Sequence, residues 1–324
     1  MFSISSVVRG SFGAAVLLSL AACSLPTFNV QAPTPSGLKT EVAQSSAANL
    51  SLVDRRQDAQ RQFHTGLLGQ IQLKHQNAPI DPPKYMATGL QAELASRGYS
   101  TQVTTEDKGT PRLNLRTFNI QNHRVSGFSP WVTMTFVSAD LETDAGPKRL
   151  GAFIKRGKVP VWSIDEVVDP TYNQPLSLAI QELAGKVAVD LYGYRASDAT
   201  VDQLVARLAQ RNDNSYLDVY ALGFTNNPRA VAKLAELTRD ADEYVRLAAI
   251  SSLGNLRATS QFDLLKSIYQ SAEIWQDRGM AIKSIGDLGT EESKAFLVSE
   301  MKRWESQTSN NEAVWTMQII RLYL

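Results

Sequence analysis

The C-terminal part of the chain contains an internal repeat whose units are about 31 residues long. The dipeptides Leu222-Gly223, Leu253-Gly254 and Ile285-Gly286 occupy equivalent positions in successive units. Apolar residues precede each dipeptide at helical spacing, and a second apolar segment follows it. Units of this size cannot bury their apolar faces alone, so neighbouring units must stack. The repeat therefore predicts a short all-helical stack over residues 196–324.

The glycine of each dipeptide is predicted to end the first helix of its unit, because glycine readily adopts the left-handed conformation after a helix. The acidic segment 240–246, DADEYVR, is expected to begin the next helix. Arg246 and Arg278 are equivalent and are expected to bind neighbouring carboxylates. The sequence DADEYVRLAAISSLGNL resembles short HEAT-like repeats of α-solenoids. This resemblance implies an extended surface that binds another protein.

Residues 51–195 show a different pattern, in which helices and strands are mixed. The segments 82–98 and 173–194 carry apolar residues three or four apart and predict helices. The segment 131–141 alternates apolar and polar residues and predicts a strand. In 112–121 the apolar residues change face midway, which favours a bulge. The expected fold class is α+β: an α/β sandwich domain with a mainly antiparallel sheet, followed by the helical solenoid.

The only cysteine of the chain, Cys23, follows an apolar segment near the N-terminus. Arg9 is the only charged residue before it, and the apolar segment 13–20 is too short for a bilayer, which needs about 20 residues. This layout predicts a secretory signal peptide over residues 1–22. The stretch LAAC ending at Cys23 resembles the lipobox of bacterial lipoproteins, which implies a lipid thioether on that cysteine.

The lipobox resemblance also implies a location. Acyl chains of the palmitate type would hold the mature N-terminus on the membrane, because each buried CH₂ contributes about 0.8 kcal/mol. Ser24 follows the cysteine where an Asp would retain enteric-type lipoproteins, which implies the outer membrane, with the protein facing the periplasm. Residues 23–50 are rich in Ser, Ala, Thr and Pro and predict a flexible linker after the lipidated cysteine. The alternative is a plain secretory signal with an unrelated cysteine.

The charge and the motifs argue against several classes of function. Lys and Arg total 33 against 32 for Asp and Glu, a net charge of +1, so no nucleic-acid partner is expected. His64, His75 and His123 lack the spacing of a zinc pair, and no metal or other cofactor is expected. Neither a phosphate-binding loop nor a serine-hydrolase elbow occurs in the sequence. We therefore expect a protein that is not an enzyme.

A basic cluster in the segment 147–158 is the first candidate binding site. It comprises Lys148, Arg149, Lys155, Arg156 and Lys158. Such a cluster on a predicted hairpin would dock an acidic partner or a phosphorylated lipid. The alternative is that the charges prevent an exposed strand from pairing with other chains.

An acidic loop is the second candidate site, and it would bind a glycan. The segment 159–170 places one aromatic residue close to three carboxylates: Trp162, Asp165, Glu166 and Asp169. An aromatic platform beside paired carboxylates is typical of glycan sites. The alternative is an acidic loop next to a tryptophan of the core.

The sequence favours a membrane-anchored envelope lipoprotein that acts as a protein-binding scaffold or accessory factor in envelope assembly. Its expected partners are the membrane, through Cys23, and another envelope protein, through the helical repeats. Two alternatives stay open. One is a glycan-binding or glycan-cleaving envelope protein that uses the acidic loop near Trp162. The other is a lipid-handling lipoprotein with an apolar pocket between the sheet and its helices.

Overall fold

The structure is a computed structural model of the chain. It describes residues 27–40, 44–66, 71–124, 129–159, 161–163, 165–307 and 309–324. Cys23 and the proposed signal peptide lie outside these residues, so lipidation stays a prediction. Within the described ranges, no helix has the length and apolar character needed to cross a membrane.

The N-terminal region combines strands with helices that pack on them. In chain order its elements are β1 (Thr27–Asn29), β2 (Gln44–Asp54), β3 (His64–Gly66), β4 (Gln72–His75), β5 (Ala78–Pro79), α1 (Pro82–Ser96), β6 (Tyr99–Thr104), β7 (Arg112–His123), β8 (Trp131–Thr143), β9 (Gly146–Lys158), α2 (Asp165–Val168) and α3 (Gln174–Tyr192). A π-helical turn, Asp169–Asn173, joins α2 to α3.

The larger sheet is mixed and has the strand order β6-β2-β7-β8-β9, with β3 beside the far end of β7. Its long strands β7, β8 and β9 form an antiparallel meander. The shorter pairings of β2 with β6 and β7, and of β3 with β7, are parallel. The pairing of β7 with β8 shifts register between Leu115 and Thr117, which confirms the predicted bulge.

Residues 27–40 and 44–50 belong to the folded domain, so the prediction of a flexible linker is wrong for them. β1 pairs with β4 in a second sheet, and Phe28 and Val30 are buried. Ser36 donates hydrogen bonds through its N–H and Oγ to the carboxylate of Glu93 in α1, at 2.6 and 2.5 Å. The Pro- and Ser-rich composition indicated a linker. The buried side chains of Phe28 and Val30 and the hydroxyl group of Ser36 instead attach this segment to the core.

The two long helices of this region are confirmed. α1 begins after Asp81, whose carboxylate accepts a hydrogen bond from the N–H of Lys84 at 3.2 Å and caps the helix. α3 ends at Gly193, which has a φ of 65°. α1 packs on α3, and α3 in turn packs on β8 and β9. Together these contacts cover one face of the larger sheet.

The C-terminal region is entirely helical in its described residues. Its helices are α4 (Asp198–Leu208), α5 (Ser215–Gly223), α6 (Val231–Leu237), α7 (Glu243–Asn255), α8 (Phe262–Ser271), α9 (Trp275–Leu288), α10 (Glu291–Trp304) and α11 (Asn311–Ile320). α5, α7, α9 and α11 stack side by side and form what we term the inner layer. α4, α6, α8 and α10 each pack on the next inner helix and form the outer layer.

The repeated glycines do not end helices in the left-handed conformation, so that prediction is wrong. Gly223, Gly254 and Gly286 lie within helices and are not among the glycines with positive φ. A Cβ on Gly223 would lie 2.7 Å from Cα of Ser252, and one on Gly254 would lie 2.6 Å from Cα of Ser284. At Gly223 and Gly254 successive inner helices cross with their backbones in close contact, whereas a Cβ on Gly286 would overlap the ring of Tyr323.

The repeated arginines bind carboxylates of the following unit, as predicted. Arg246 Nε donates to Asp277 at 2.8 Å. Arg278 donates to both carboxylate oxygens of Glu312, at 2.6 and 2.7 Å. These bonds connect α7 to α9 and α9 to α11, so they add polar contacts to the apolar stacking of the inner layer.

We expect Gly254→Ala to lower the free energy of unfolding by about 1–3 kcal/mol, because the new methyl group would overlap the backbone of α9. Gly279→Ala in α9 is the matched control. Its methyl group would meet the nearest side-chain atom, Ile319 Cδ1, at 3.4 Å. Alanine is also the better helix former, so the control should keep or gain up to about 1 kcal/mol. Urea unfolding of both variants checks this, and equal losses would contradict it.

Candidate functional site

The inner layer of the repeats packs against the N-terminal region and covers the free edge of β9, the last strand of the sheet. The N–H of Gly157 in β9 donates to Tyr244 Oη at 3.1 Å, and the same hydroxyl lies 2.9 Å from the Gly157 carbonyl. The carbonyl of Gly151 accepts from Lys186 Nζ at 2.5 Å. The edge is therefore protected within the chain, because Tyr244 of the repeats and Lys186 of α3 bind backbone groups that an exposed edge would leave unpaired.

A cluster of four buried charges joins α3 to α9. Lys186 Nζ lies 2.7 Å from Glu182 and 2.5 Å from Asp287, and Lys283 Nζ lies 2.7 Å from each of the same carboxylates. All four side chains are at most 6% exposed. Because the two positive and two negative charges balance, each buried ion has a counterion at hydrogen-bond distance.

The ion pairs of this cluster determine the direction in which the pKa values of Asp287 and Lys283 shift. Burial opposes ionisation of Asp287, but Lys186 and Lys283 hold the pKa of its carboxyl below the usual value. Burial likewise disfavours charged Lys283, but Asp287 and Glu182 raise the pKa of its ammonium group. The stabilisation from Asp287 is therefore lost as pH falls through its folded pKa. The stabilisation from Lys283 is lost as pH rises through its folded pKa, so the cluster is stabilising across the neutral range.

Two further contacts connect the regions on either side of this cluster. Asp190 at the end of α3 accepts from Arg257 at 2.8 and 2.7 Å and from Lys148 at 2.7 Å. Burial opposes ionisation of Asp190, but these two cations lower its pKa. Directly after α1, Arg97 Nη1 donates to the carbonyl of Phe224 at 3.0 Å. The repeats thus bind α1, α3 and β9 through polar groups that are mostly shielded from water.

The basic cluster predicted to bind a partner is engaged largely within the chain. Lys155 is buried and lies 2.5 Å from Glu243. Arg156 is also buried, with its guanidinium carbon 4.1 Å from the ring centre of Tyr216 and 3.9 Å from that of Tyr244. Cation–π contacts of this kind stabilise a buried guanidinium. These two residues of β9 therefore hold the repeats in place and present no charge to a partner.

The outer members of the basic cluster are partly exposed. Lys148 lies 2.7 Å from Asp190, and Arg149 forms an ion pair with Asp140. Lys158 is half-buried and forms no ion pair with a described residue. Lys155 and Arg156 are thus removed from the predicted basic patch by burial, and partner binding through Lys148, Arg149 and Lys158 stays a prediction.

The acidic loop is the most exposed apolar feature of the N-terminal region. Trp162 is 82% exposed and Val159 is 61% exposed, so the alternative of a core tryptophan is wrong. Asp165 and Glu166 are exposed at the start of α2. Asp169 accepts a hydrogen bond from Gln174 Nε2 at 2.9 Å. The three carboxylates are thus close in sequence, but Asp169 alone among them lines the neighbouring cleft.

That cleft has a volume of about 320 Å³ and lies between the segment 31–36, α3 and α5. No sequence motif pointed to it, because its lining comes from segments far apart in the chain. Gln31 and Thr34 come from the supposed linker, Gln181 comes from α3, and Leu217 comes from α5. The cleft forms where the N-terminal region meets the repeats.

Two of the three histidines make polar contacts within the fold. His64 is buried, and its Nε2 lies 3.1 Å from Tyr172 Oη. Burial lowers the pKa of His64 to about 4. His75 Nδ1 lies 3.0 Å from the carbonyl of Val30. Among the described residues, no group of three or more His, Cys, Asp and Glu side chains is placed to hold a metal.

Comparison with known proteins identifies the class of the C-terminal region. A family model described as HEAT repeats matches residues 201–285 and 231–318. This region therefore contains HEAT repeats, and the predicted order of a sheet domain followed by helical repeats is confirmed.

Part of the chain is distantly similar to a solved structure. One solved structure, described as "Crystal structure of uncharacterized protein", is 11% identical and covers 52% of this chain and 99% of that chain, with a TM-score of 0.28. No curated protein matches the sequence.

We expect Lys283→Met to lower the free energy of unfolding by about 3–5 kcal/mol, because the two buried carboxylates of Glu182 and Asp287 would then share the single ammonium group of Lys186. The double variant Lys283→Met/Asp287→Leu keeps the Lys186–Glu182 pair and a balanced charge. It should therefore lose less stability than Lys283→Met alone. Urea unfolding at neutral pH measures both values. A double variant as unstable as the sum of the two single variants would contradict the pairing.

Proposed function

We propose that this chain is an envelope lipoprotein, anchored through Cys23, whose sheet domain and HEAT repeats together support the binding of another envelope protein. The LAAC stretch supports the anchor, because it resembles a lipobox. The HEAT repeats support a binding role rather than a catalytic one, since solenoid repeats commonly present surfaces to other proteins. The proposed location is the outer membrane, with the protein facing the periplasm.

The inner layer of the repeats is in contact with the N-terminal region, so this part of its surface is not free to bind a partner protein. α9 packs on β9, and residues of α5 and α7 surround Arg156. A partner would therefore bind the outer layer of the repeats or a surface of the N-terminal region. The observation that carries the proposal is the exposure of Trp162 at 82% beside Val159 at 61%. Exposed tryptophans are frequent anchors at protein interfaces, where they fill a pocket of the partner.

The charges around Trp162 indicate the chemistry of the partner. Asp165, Glu166 and Asp169 are exposed, and none of them forms an ion pair with a basic side chain of the described residues. A partner with an apolar pocket rimmed by Lys or Arg would complement this surface. Charge complementarity of this kind mainly raises the association rate and the specificity of binding.

We expect Trp162→Ala to remove the partner from the material that co-purifies with the protein after crosslinking of cell envelopes. The expected loss of affinity is at least about 30-fold, as for an anchor residue worth 2 kcal/mol or more. Val298→Ala is the matched control, because Val298 is 39% exposed on α10 of the outer layer. An identical set of co-purified proteins from wild type and Trp162→Ala would contradict the role of the loop. Loss in Val298→Ala instead would assign the contact to the outer layer.

Deleting the repeats would be a poor test of this proposal. Without them, the edge of β9 would be exposed and Lys186 and Glu182 would lose their partners in α9. Loss of the partner from a truncated protein would therefore not distinguish a missing binding surface from a misfolded domain. Surface substitutions leave the fold intact and are therefore preferred.

The anchor is tested separately. Cys23→Ser should abolish incorporation of labelled palmitate and move the protein from the membrane fraction to the soluble periplasmic fraction. Serine has no sulfur with which to form the thioether, and its hydroxyl is a far weaker nucleophile than a thiolate at neutral pH. Labelling that persists in Cys23→Ser would overturn the lipoprotein assignment without affecting the Trp162 proposal.

The lipid-handling alternative receives less support. It needs an apolar pocket between the sheet and its helices, and the side chains in that space are closely buried. Leu90 of α1, Phe118 of β7 and Leu183 of α3 each have 0% exposure. An acyl chain would have to displace such residues from the core.

A further inference from the structure

The cleft between the segment 31–36, α3 and α5 has the features of a small-molecule site. Its volume of about 320 Å³ falls at the small end of the range of about 300–1,000 Å³ that is typical of ligand pockets. Leu178 and Leu217 contribute apolar lining, and amide, hydroxyl and carboxylate side chains contribute the rest. Trp162, Asp165 and Glu166 do not line it, so this site is distinct from the exposed loop.

The walls of the cleft are held in place by hydrogen bonds within the chain. The N–H of Gln31 donates to Asn173 Oδ1 at 2.9 Å, and the N–H of Thr34 donates to Ser177 Oγ at 3.0 Å. Gln181 Nε2 donates to the carbonyl of Thr34 at 2.5 Å. The segment 31–36 is thus attached to α3 at several points. These contacts within the chain preform the walls of the cleft, which lowers the entropic cost of binding.

The polar side chains of the cleft retain unused hydrogen-bonding capacity. Gln31 uses its main-chain N–H and carbonyl within the fold, and its side chain is exposed. Gln181 uses Nε2, which leaves Oε1 as an acceptor. Asp169 accepts from Gln174 at 2.9 Å and from Asn173 Nδ2 at 3.4 Å, and it keeps further lone pairs because an ionised carboxylate has about four acceptor positions. Donors and acceptors are thus both available around an apolar surface.

The charge of the lining limits the class of ligand. Arg207 and Asp218 form an ion pair at 2.7 Å and cancel each other. Asp169 is the remaining charged residue of the lining, so an anionic ligand would be repelled. A purely apolar ligand would remove amide and carboxylate groups from water without replacing their hydrogen bonds, which costs free energy.

We propose that this cleft binds a neutral saccharide. Vicinal hydroxyl groups can bind amide and carboxylate side chains through two atoms at once, as donors and as acceptors. The C–H face of a sugar ring would contact Leu178 and Leu217. Among the residues suggested for a glycan site by the sequence, Asp169 alone takes part. The inference does not depend on a protein partner at Trp162.

The experiment is isothermal titration of the full mature chain, made soluble by Cys23→Ser, with glucose, N-acetylglucosamine and its β-1,4-linked disaccharide as probes. The expected result is a Kd of about 1 mM or tighter for at least one probe. Ala32→Trp should abolish binding, because Ala32 is exposed at the cleft and an indole would fill it. Asp169→Ala should weaken binding at least about tenfold, as expected for loss of a charge-assisted hydrogen bond.

Two control variants show whether an effect on saccharide binding is specific to the cleft. Ala232→Trp places the same indole at an exposed position of α6, away from the cleft, and should bind as the wild type does. Trp162→Ala should also bind normally, which separates this site from the proposed protein contact. The inference is overturned if no probe binds, if Ala32→Trp binds as well as Ala232→Trp, or if trialanine binds and the saccharides do not. Urea midpoints equal to that of the wild type verify that the variants are folded.

Discussion

The four buried charges between α3 and α9 are the constraint on which the arrangement of this chain depends. Lys186 and Lys283 can stay charged inside the protein only while Glu182 and Asp287 face them. A buried ion without a counterion costs several kcal/mol, whereas a complete network roughly compensates its own desolvation. The cluster therefore penalises every docking of the repeats on the sheet domain that would leave a charge unpaired. Shape reinforces this selection, because Gly151 of β9 leaves room for the Tyr323 ring.

Docking on the sheet domain gives the inner layer of the HEAT repeats a structural role within the chain. The inner layer, which a free solenoid would offer to another protein, covers the edge of β9 and the end of α3. The binding surfaces then lie elsewhere. The exposed loop at Trp162 extends from the end of β9, whose position the repeats fix, and the saccharide cleft opens where α5 approaches α3. Both proposed sites thus depend on the sheet domain and the repeats staying together.

The sequence predicted the parts of this structure that local patterns determine. Apolar spacing gave α1, α3 and the repeat helices, and the change of face in β7 indicated the bulge. The repeat glycines were detected but assigned to helix ends, because their contacts come from the next helix. The linker prediction relied on composition and did not take account of the apolar residues Phe28 and Val30, which are buried.

The sequence also contained a signal for the buried charges that was not used. The i,i+4 pairs Glu182–Lys186 and Lys283–Asp287 lie among apolar residues, which indicates buried charge. Their pairing across about a hundred residues required the tertiary structure, and so did the cleft, whose lining comes from distant segments.

The central claim is that the sheet domain and the HEAT repeats form one cooperative unit held by buried polar contacts. Native-state hydrogen exchange at increasing urea tests it most directly, by comparing amides of β8 with amides of α7. The account predicts that the most protected amides of both elements exchange with the same opening free energy, equal to that of global unfolding. A lower opening free energy throughout α7, with β8 still protected, would show that the repeats unfold independently and would contradict the account.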